Sequence, residues 1–80
     1  MQQIKSAFSD HAAMFKYNAD TVVAGELSDI YETLKKKQPN KIAEALVDRI
    51  LGSGIIQLTS EQEEESLEFW KNRISMIQDK

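Results

Sequence analysis

The sequence contains no cysteine, only one proline and only three glycines. The absence of cysteine excludes disulfide bonds and metal sites held by thiolates. Because proline and glycine are scarce, few residues would interrupt a helix. No run of β-branched residues alternates with polar ones, as an exposed strand requires. These absences favour an all-α chain.

The sequence also lacks a long hydrophobic run. No apolar stretch approaches the roughly 18 residues that a membrane-spanning helix needs. The first residues, MQQIKSAFSDH, lack the apolar core and small-residue cleavage site of a secretory signal. We therefore expect a cytoplasmic protein without a transmembrane segment.

Positive charge is in deficit, because the net charge is −3 over 80 residues. Nucleic acids and anionic membranes recruit basic surfaces, so neither is an expected partner. The length indicates one domain, residues 1–80, with little stability to spare. Such a chain gains stability by self-association or by docking on another protein.

Apolar residues recur at steps of three and four, which is the helical spacing. The pattern predicts a small bundle of about four short helices, at residues 2–17, 20–37, 40–51 and 60–78. Asp20 is the expected cap of the second helix. Gly25 weakens that helix, which leaves open a start at Ser28 or a continuous helix through residues 17–23.

The stretch ILGSGIIQLTSEQEEE, residues 50–65, raises the question of a phosphate-binding loop. Such loops follow a strand and usually carry a lysine, whereas this stretch follows a predicted helix and ends in acids. The sequence instead predicts a corner, in which Gly52 takes a positive φ and Thr59 or Ser60 caps the last helix. With Ser60 as the cap, Glu63 holds the capping-box position.

Residues suited to catalysis or metal binding are scarce. His11 is the only histidine, and no partner for it is evident from the sequence, so it is expected to flank the core. The acidic residues from 61 to 68 are expected to form a solvated face, although they would also suit a basic partner. We therefore expect no enzyme activity, no cofactor and no metal site.

A local basic cluster supports one alternative function. Lysines 35, 36 and 37 end the second predicted helix, and Lys41 begins the third. The two helices would resemble a helix-turn-helix in a DNA-binding regulator. Glu44 and Asp48 make the third helix too acidic for a typical recognition helix, so DNA binding ranks second.

Large apolar residues exceed what one narrow core seam accommodates. Leu67, Trp70, Ile74 and Ile77 follow a heptad pattern, while Phe69, Arg73 and Met76 form an adjoining strip. Large exposed aromatic residues mark contact surfaces. One possibility is a filled core with Trp70 at its centre. The other is a protein-binding surface comprising Phe69, Trp70, Arg73, Met76 and Ile77, with Phe15 and Tyr17 opposite.

The opening residues MQQIKSAFSDHAAMFKYNAD, followed by a short acidic helical chain, resemble small accessory proteins of tailed phages, such as the cytoplasmic antiholin of T-even phages. That resemblance implies a soluble inhibitor in the host cytoplasm that binds the cytosolic segment of a holin and delays lysis. It implies no particular binding residue.

The leading hypothesis is therefore a non-enzymatic helical protein that binds another, unidentified protein as a regulator or inhibitor. Self-association is also expected. The alternatives are a small DNA-binding regulator and a structural component of a phage assembly.

Overall fold

The computed structural model describes residues 2–78, with side chains from Gln3 onward. It contains α1 (Gln2–Phe15), α2 (Thr21–Leu34), α3 (Pro39–Gly52) and α4 (Ser60–Gln78), and the described residues form no strand. The prediction of a small all-α bundle is confirmed. The element boundaries differ from those predicted, and each difference has a local cause.

The first helix ends earlier than predicted, at Phe15. Lys16 adopts a φ of 61°, the left-handed conformation that breaks the helical repeat. The N–H of Tyr17 then donates to the Ala12 carbonyl at 3.0 Å. Tyr17 thus lies in the connection to α2, where its side chain points back along α1.

The second helix is continuous through Gly25, so the alternative start at Ser28 is wrong, and so is the alternative of a continuous helix through residues 17–23. Asp20 caps it as predicted, because its carboxylate accepts from the N–H groups of Val22 and Val23 at 2.8 and 3.3 Å. The helix ends at Leu34, so lysines 35–37 follow the helix instead of completing it.

The third helix begins at Pro39, whose missing N–H is harmless in the first turn. It ends at Gly52, which does not take the positive φ that was predicted. Gly54 takes it instead, at 79°. The described chain therefore turns two residues later than expected.

The fourth helix is capped by Thr59 and Gln62, not by Ser60 and Glu63. The Gln62 N–H donates to the Thr59 hydroxyl at 3.2 Å, and the Thr59 N–H donates to the Gln62 side-chain oxygen at 3.0 Å. This reciprocal pair is a capping box. Ile55 and Ile56 pack against the core from the connection, so the stretch is a structural corner.

The four helices pack in sequence, with α1 and α4 also in contact. The α3–α4 contact is the most extensive and the α1–α4 contact the least. A shared core contains large side chains that are completely buried, among them Trp70, Phe8, Ile4, Leu27, Ile42 and Leu46. The line where α1 meets α4 is called the α1–α4 seam below.

Candidate functional site

The α1–α4 seam is organised around His11, which is completely buried. Its Nε2 atom shares a hydrogen bond of 2.6 Å with the Ser66 hydroxyl on α4. Its Nδ1 atom shares a second hydrogen bond with the Tyr17 hydroxyl in the α1–α2 connection. Since a neutral imidazole has one donor and one acceptor, and each hydroxyl serves as either, both ring nitrogens are satisfied.

Aromatic rings enclose the same imidazole. The His11 ring centroid lies 4.6 Å from Phe15, 5.6 Å from Tyr17, 5.3 Å from Phe69 and 5.7 Å from Trp70. The cluster therefore joins α1, the following connection and α4. Apolar rings offer no counter-charge to an imidazolium ion, so the neutral form of His11 is favoured.

Burial changes the acid–base properties of two residues here. Desolvation lowers the pKa of His11 from 6.5 to about 4, because the buried site disfavours the charged ring. Desolvation likewise raises the pKa of the Tyr17 hydroxyl above its ordinary value of 10.0. At neutral pH both groups are therefore uncharged hydrogen-bonding partners.

The serine, histidine and tyrosine side chains superficially resemble a catalytic constellation. A nucleophile must reach its substrate, yet His11 and Ser66 are both buried. Three surface depressions of the described residues are lined by other residues, between α1 and α2, α3 and α4, and α2 and α3. The arrangement suits a structural tie between helices better than chemistry.

No group of three or more histidine, cysteine, aspartate or glutamate residues that could hold a metal ion is found within residues 2–78. The acidic residues 61, 64, 65 and 68 lie exposed along the first half of α4. Lysines 35, 36, 37 and 41 are also exposed, at the turn between α2 and α3.

Trp70 is completely buried, so its assignment to an exposed binding surface is incorrect for this chain on its own. The alternative interpretation, a core with Trp70 inside it, describes the fold. Within the described chain, its indole Nε1 is the buried side-chain polar atom that lacks a hydrogen-bond partner. The tryptophan thus forms the floor of the seam rather than its surface.

The remaining predicted residues lie closer together than expected. Phe15 and Tyr17 lie next to the same His11 ring that Phe69 contacts, so the three belong to one cluster instead of two opposite surfaces. Phe69 lies under Arg73, whose guanidinium carbon is 5.0 Å from the ring centroid. All three aromatic side chains are partly exposed.

Arg73 also links the two helices at the surface. Its Nη1 donates to the Asp10 carboxylate at 2.9 Å. Met76, one turn further along α4, leaves 62% of its surface exposed, whereas Ile77 is half-buried and packs on the core. Met14 shares the face of Asp10 on α1 and is 50% exposed.

We define the seam surface as Met14, Phe15, Phe69, Arg73 and Met76. Met14 and Ser66 were not among the predicted binding residues, and His11 lies inside the core instead of at its flank, because Ser66 and Tyr17 satisfy its ring nitrogens. The spacing of Ser66 and Trp70, four residues apart on one helix face, was the available sign that Ser66 faces inward. Its hydrogen bond to His11 joins residues that are 55 positions apart, so no local sequence pattern indicates it.

The site and fold together define a small four-helix bundle with a polar tie beneath an aromatic seam. Among residues 2–78, no helix is both long and apolar enough to cross a bilayer. Comparison with protein-family models, with curated proteins and with solved structures gave no match.

Proposed function

We propose that this protein is a non-enzymatic module that binds another protein through the seam surface. The observation that carries the proposal is the composition of that surface: two partly exposed aromatic rings, two exposed methionines and one arginine. Aromatic residues, methionine and arginine are the types enriched at protein interfaces. Lysine and glutamate, which interfaces disfavour, do not contribute to it.

The support beneath the surface also suits binding. Phe69 is held by the ring of Trp70 at 5.5 Å and by the His11 ring, and Phe15 stacks near the same histidine. Rigid aromatic side chains lose little conformational entropy when a partner covers them. The seam therefore offers preorganised anchors beside flexible methionine side chains that adapt to a partner.

The burial of the His11–Ser66 pair supports a stoichiometric role. Ser66 and His11 are enclosed, so the mechanism is the docking of a partner segment on the α1–α4 seam. A regulator or inhibitor acts in this way by occupying a surface that its target needs. An antiholin-like inhibitor of lysis, encoded by a phage, is the particular form that the resemblance of the first twenty residues supports.

The proposal is tested by affinity capture from the producing cells with three immobilised proteins. These are the wild type, Met76→Glu on the seam surface and Val22→Glu as the matched control. Val22 is 68% exposed, close to the 62% of Met76, but lies at the start of α2. Burying a charge on binding is costly, so Met76→Glu is expected to reduce the retained partner at least about tenfold, while Val22→Glu retains it.

Equal retention of the same proteins by all three baits would refute a role for the seam surface, as would the absence of any retained protein. Far-ultraviolet circular dichroism of each bait provides the folding control. Both substitutions are at exposed positions, and neither is expected to change the helical content.

The DNA-binding alternative rests on the exposed lysines at the α2–α3 turn. Against it, Glu44 and Asp48 are exposed on the same helix as Lys41. A gel shift at increasing salt distinguishes the two functions, because phosphate contacts weaken steeply as salt rises. Assembly into a large regular oligomer would instead favour the structural-component alternative, and light scattering measures it.

A further inference from the structure

A second surface lies between α2 and α3, on other residues than the seam surface. It is a shallow groove of about 350 Å³, lined by Asp29, Ile30, Thr33, Leu34 and Ala45. Ile30 and Leu34 are only partly buried, although each packs on the core. The groove floor is therefore apolar, and covering it would remove that area from water.

Charged residues of opposite sign flank Ala45, the α3 residue that lines this groove. Lys41 and Asp48 are both exposed on α3, four residues before Ala45 and three residues after it. They are separated along the helix by about 10 Å, given a rise of roughly 1.5 Å per residue. Ala45 lies near the midpoint between the cation and the anion.

Glu44, also exposed on α3, lines the depression between α3 and α4 instead of this groove, and Glu32 on α2 is paired with Lys35 at 3.3 Å. At the Asp48 end, Arg49 donates to both carboxylate oxygens of Glu26 at 2.6 and 2.8 Å, so these two charges neutralise each other. Exposed Asp29, three residues after Glu26 on α2, adds a carboxylate to that end, and exposed Lys37 adds a cation beyond Leu34. One end is thus acidic and the other basic.

We propose that the groove is the interface of a two-fold symmetric dimer and that its occupant is a second copy of this chain. Rotation by 180° about an axis through the Ala45 region exchanges the two ends of the groove. Lys41 of each copy then faces Asp48 of the other copy, while Ile30, Leu34 and Ala45 meet at the centre. An isologous interface of this kind repeats each contact twice.

The charge pattern selects a second copy over a uniformly charged partner. An acidic partner would match only the Lys41 end, and a basic partner only the Asp48 end. A copy related by two-fold symmetry matches both ends at once. This inference is independent of the proposed function, because it uses neither α1 nor α4.

The test is sedimentation velocity on the full chain across a concentration series. The wild type is expected to dimerise reversibly, and less tightly at high salt. Lys41→Glu and Asp48→Lys each place like charges across the interface twice, so each is expected to weaken dimerisation at least about tenfold. Lys5→Glu, an exposed change on α1, is the matched control and is expected to leave the dimer unchanged.

Two further samples test the symmetry itself. The double variant Lys41→Glu/Asp48→Lys restores opposite charges at both contacts, so its dimerisation is expected to recover. An equimolar mixture of the two single variants is expected to form a heterodimer, because Glu at 41 then faces Lys at 48 and Asp48 faces Lys41.

A wild type that stays monomeric up to about 1 mM would overturn the proposal. A dissociation constant above that concentration corresponds to a binding free energy weaker than roughly 4 kcal/mol. So would a dimer that survives either single substitution, or single variants that remain folded by circular dichroism but fail to pair when mixed. An assembly larger than a dimer would likewise rule out a closed two-fold interface.

Discussion

At the scale of single residues, the hydrogen bonds of His11 are the most consequential feature of the structure. A buried imidazole is tolerated because Ser66 and Tyr17 satisfy its two nitrogens. Removing one partner leaves a buried polar atom without a hydrogen bond, which costs more than the bond itself is worth. The same side chains hold the least extensive helix contact of the bundle together.

Ser66→Ala is therefore expected to destabilise the fold by about 1–2 kcal/mol, even though alanine is the better helix former. Ser9→Ala, at an exposed position on α1, is the control and is expected to change stability by less than about 0.5 kcal/mol. Urea unfolding monitored by circular dichroism measures both. Equal stabilities for the two variants would mean that the His11–Ser66 bond does not contribute to folding.

At the scale of elements, the glycines show how local conformation decides the helix boundaries. Gly25 lies inside α2, and a methyl group added there would contact nothing within 4 Å. Gly54 also has open space around it, but its φ of 79° disfavours any other residue. Space is thus equal at the two positions, and only the backbone conformation differs.

Gly25→Ala is expected to stabilise the protein by about 0.5–1 kcal/mol, because alanine restricts the unfolded chain and favours the helix. Gly54→Ala is expected to destabilise it by about 1 kcal/mol, since the left-handed conformation strains a Cβ atom. Thermal and urea unfolding of the two variants should show stability changes of opposite sign if both backbone conformations are assigned correctly. Loss of stability in Gly25→Ala would show that α2 is not a regular helix at that residue.

At the scale of the whole molecule, His11 couples folding to pH. The folded state holds the neutral imidazole with a pKa of about 4, while the unfolded chain titrates near 6.5. Between these values the unfolded chain binds the proton and the folded chain does not. Acidification therefore favours unfolding, and the contribution is fully present only above about pH 6.5. Of the charged groups near the ring, Arg73 and Asp10 pair with each other, and Tyr17 stays neutral.

The free energy of unfolding is expected to fall by about 2 kcal/mol between pH 7 and pH 5, as the two pKa values require. His11→Gln lacks the titrating group, so its stability is expected to stay nearly constant over that interval, whatever its absolute value. Urea unfolding at closely spaced pH values provides the comparison. The pKa of the Glu26 carboxyl is lowered mainly by its hydrogen bond to Arg49, so this group adds a loss of folding stability only at lower pH.

A wild type and His11→Gln with parallel pH profiles would contradict this assignment. NMR titration of the His11 ring protons is an independent check, because it reports the pKa of the folded state directly.

The sequence by itself determined the four helices, the Asp20 cap, the corner at residues 50–65 and the inward face of Ile74. These features depend on neighbours within a turn or two, and helical periodicity and capping are local. The ends at Phe15 and Leu34 were not predicted, because the sequence carries no glycine at position 16 or 35 to mark a helix end.

Only the tertiary structure decided which aromatic residues lie inside. Trp70 and Phe69 are adjacent, and the helix pattern placed them on neighbouring strips of α4 without deciding whether Trp70 lies in the core or on a binding surface. The bundle buries Trp70 completely and leaves Phe69 partly exposed at the α1–α4 seam, although the His11 ring contacts both. The partners of His11, and the opposed charges of Lys41 and Asp48 at the two ends of one groove, depend on how the helices are arranged in space.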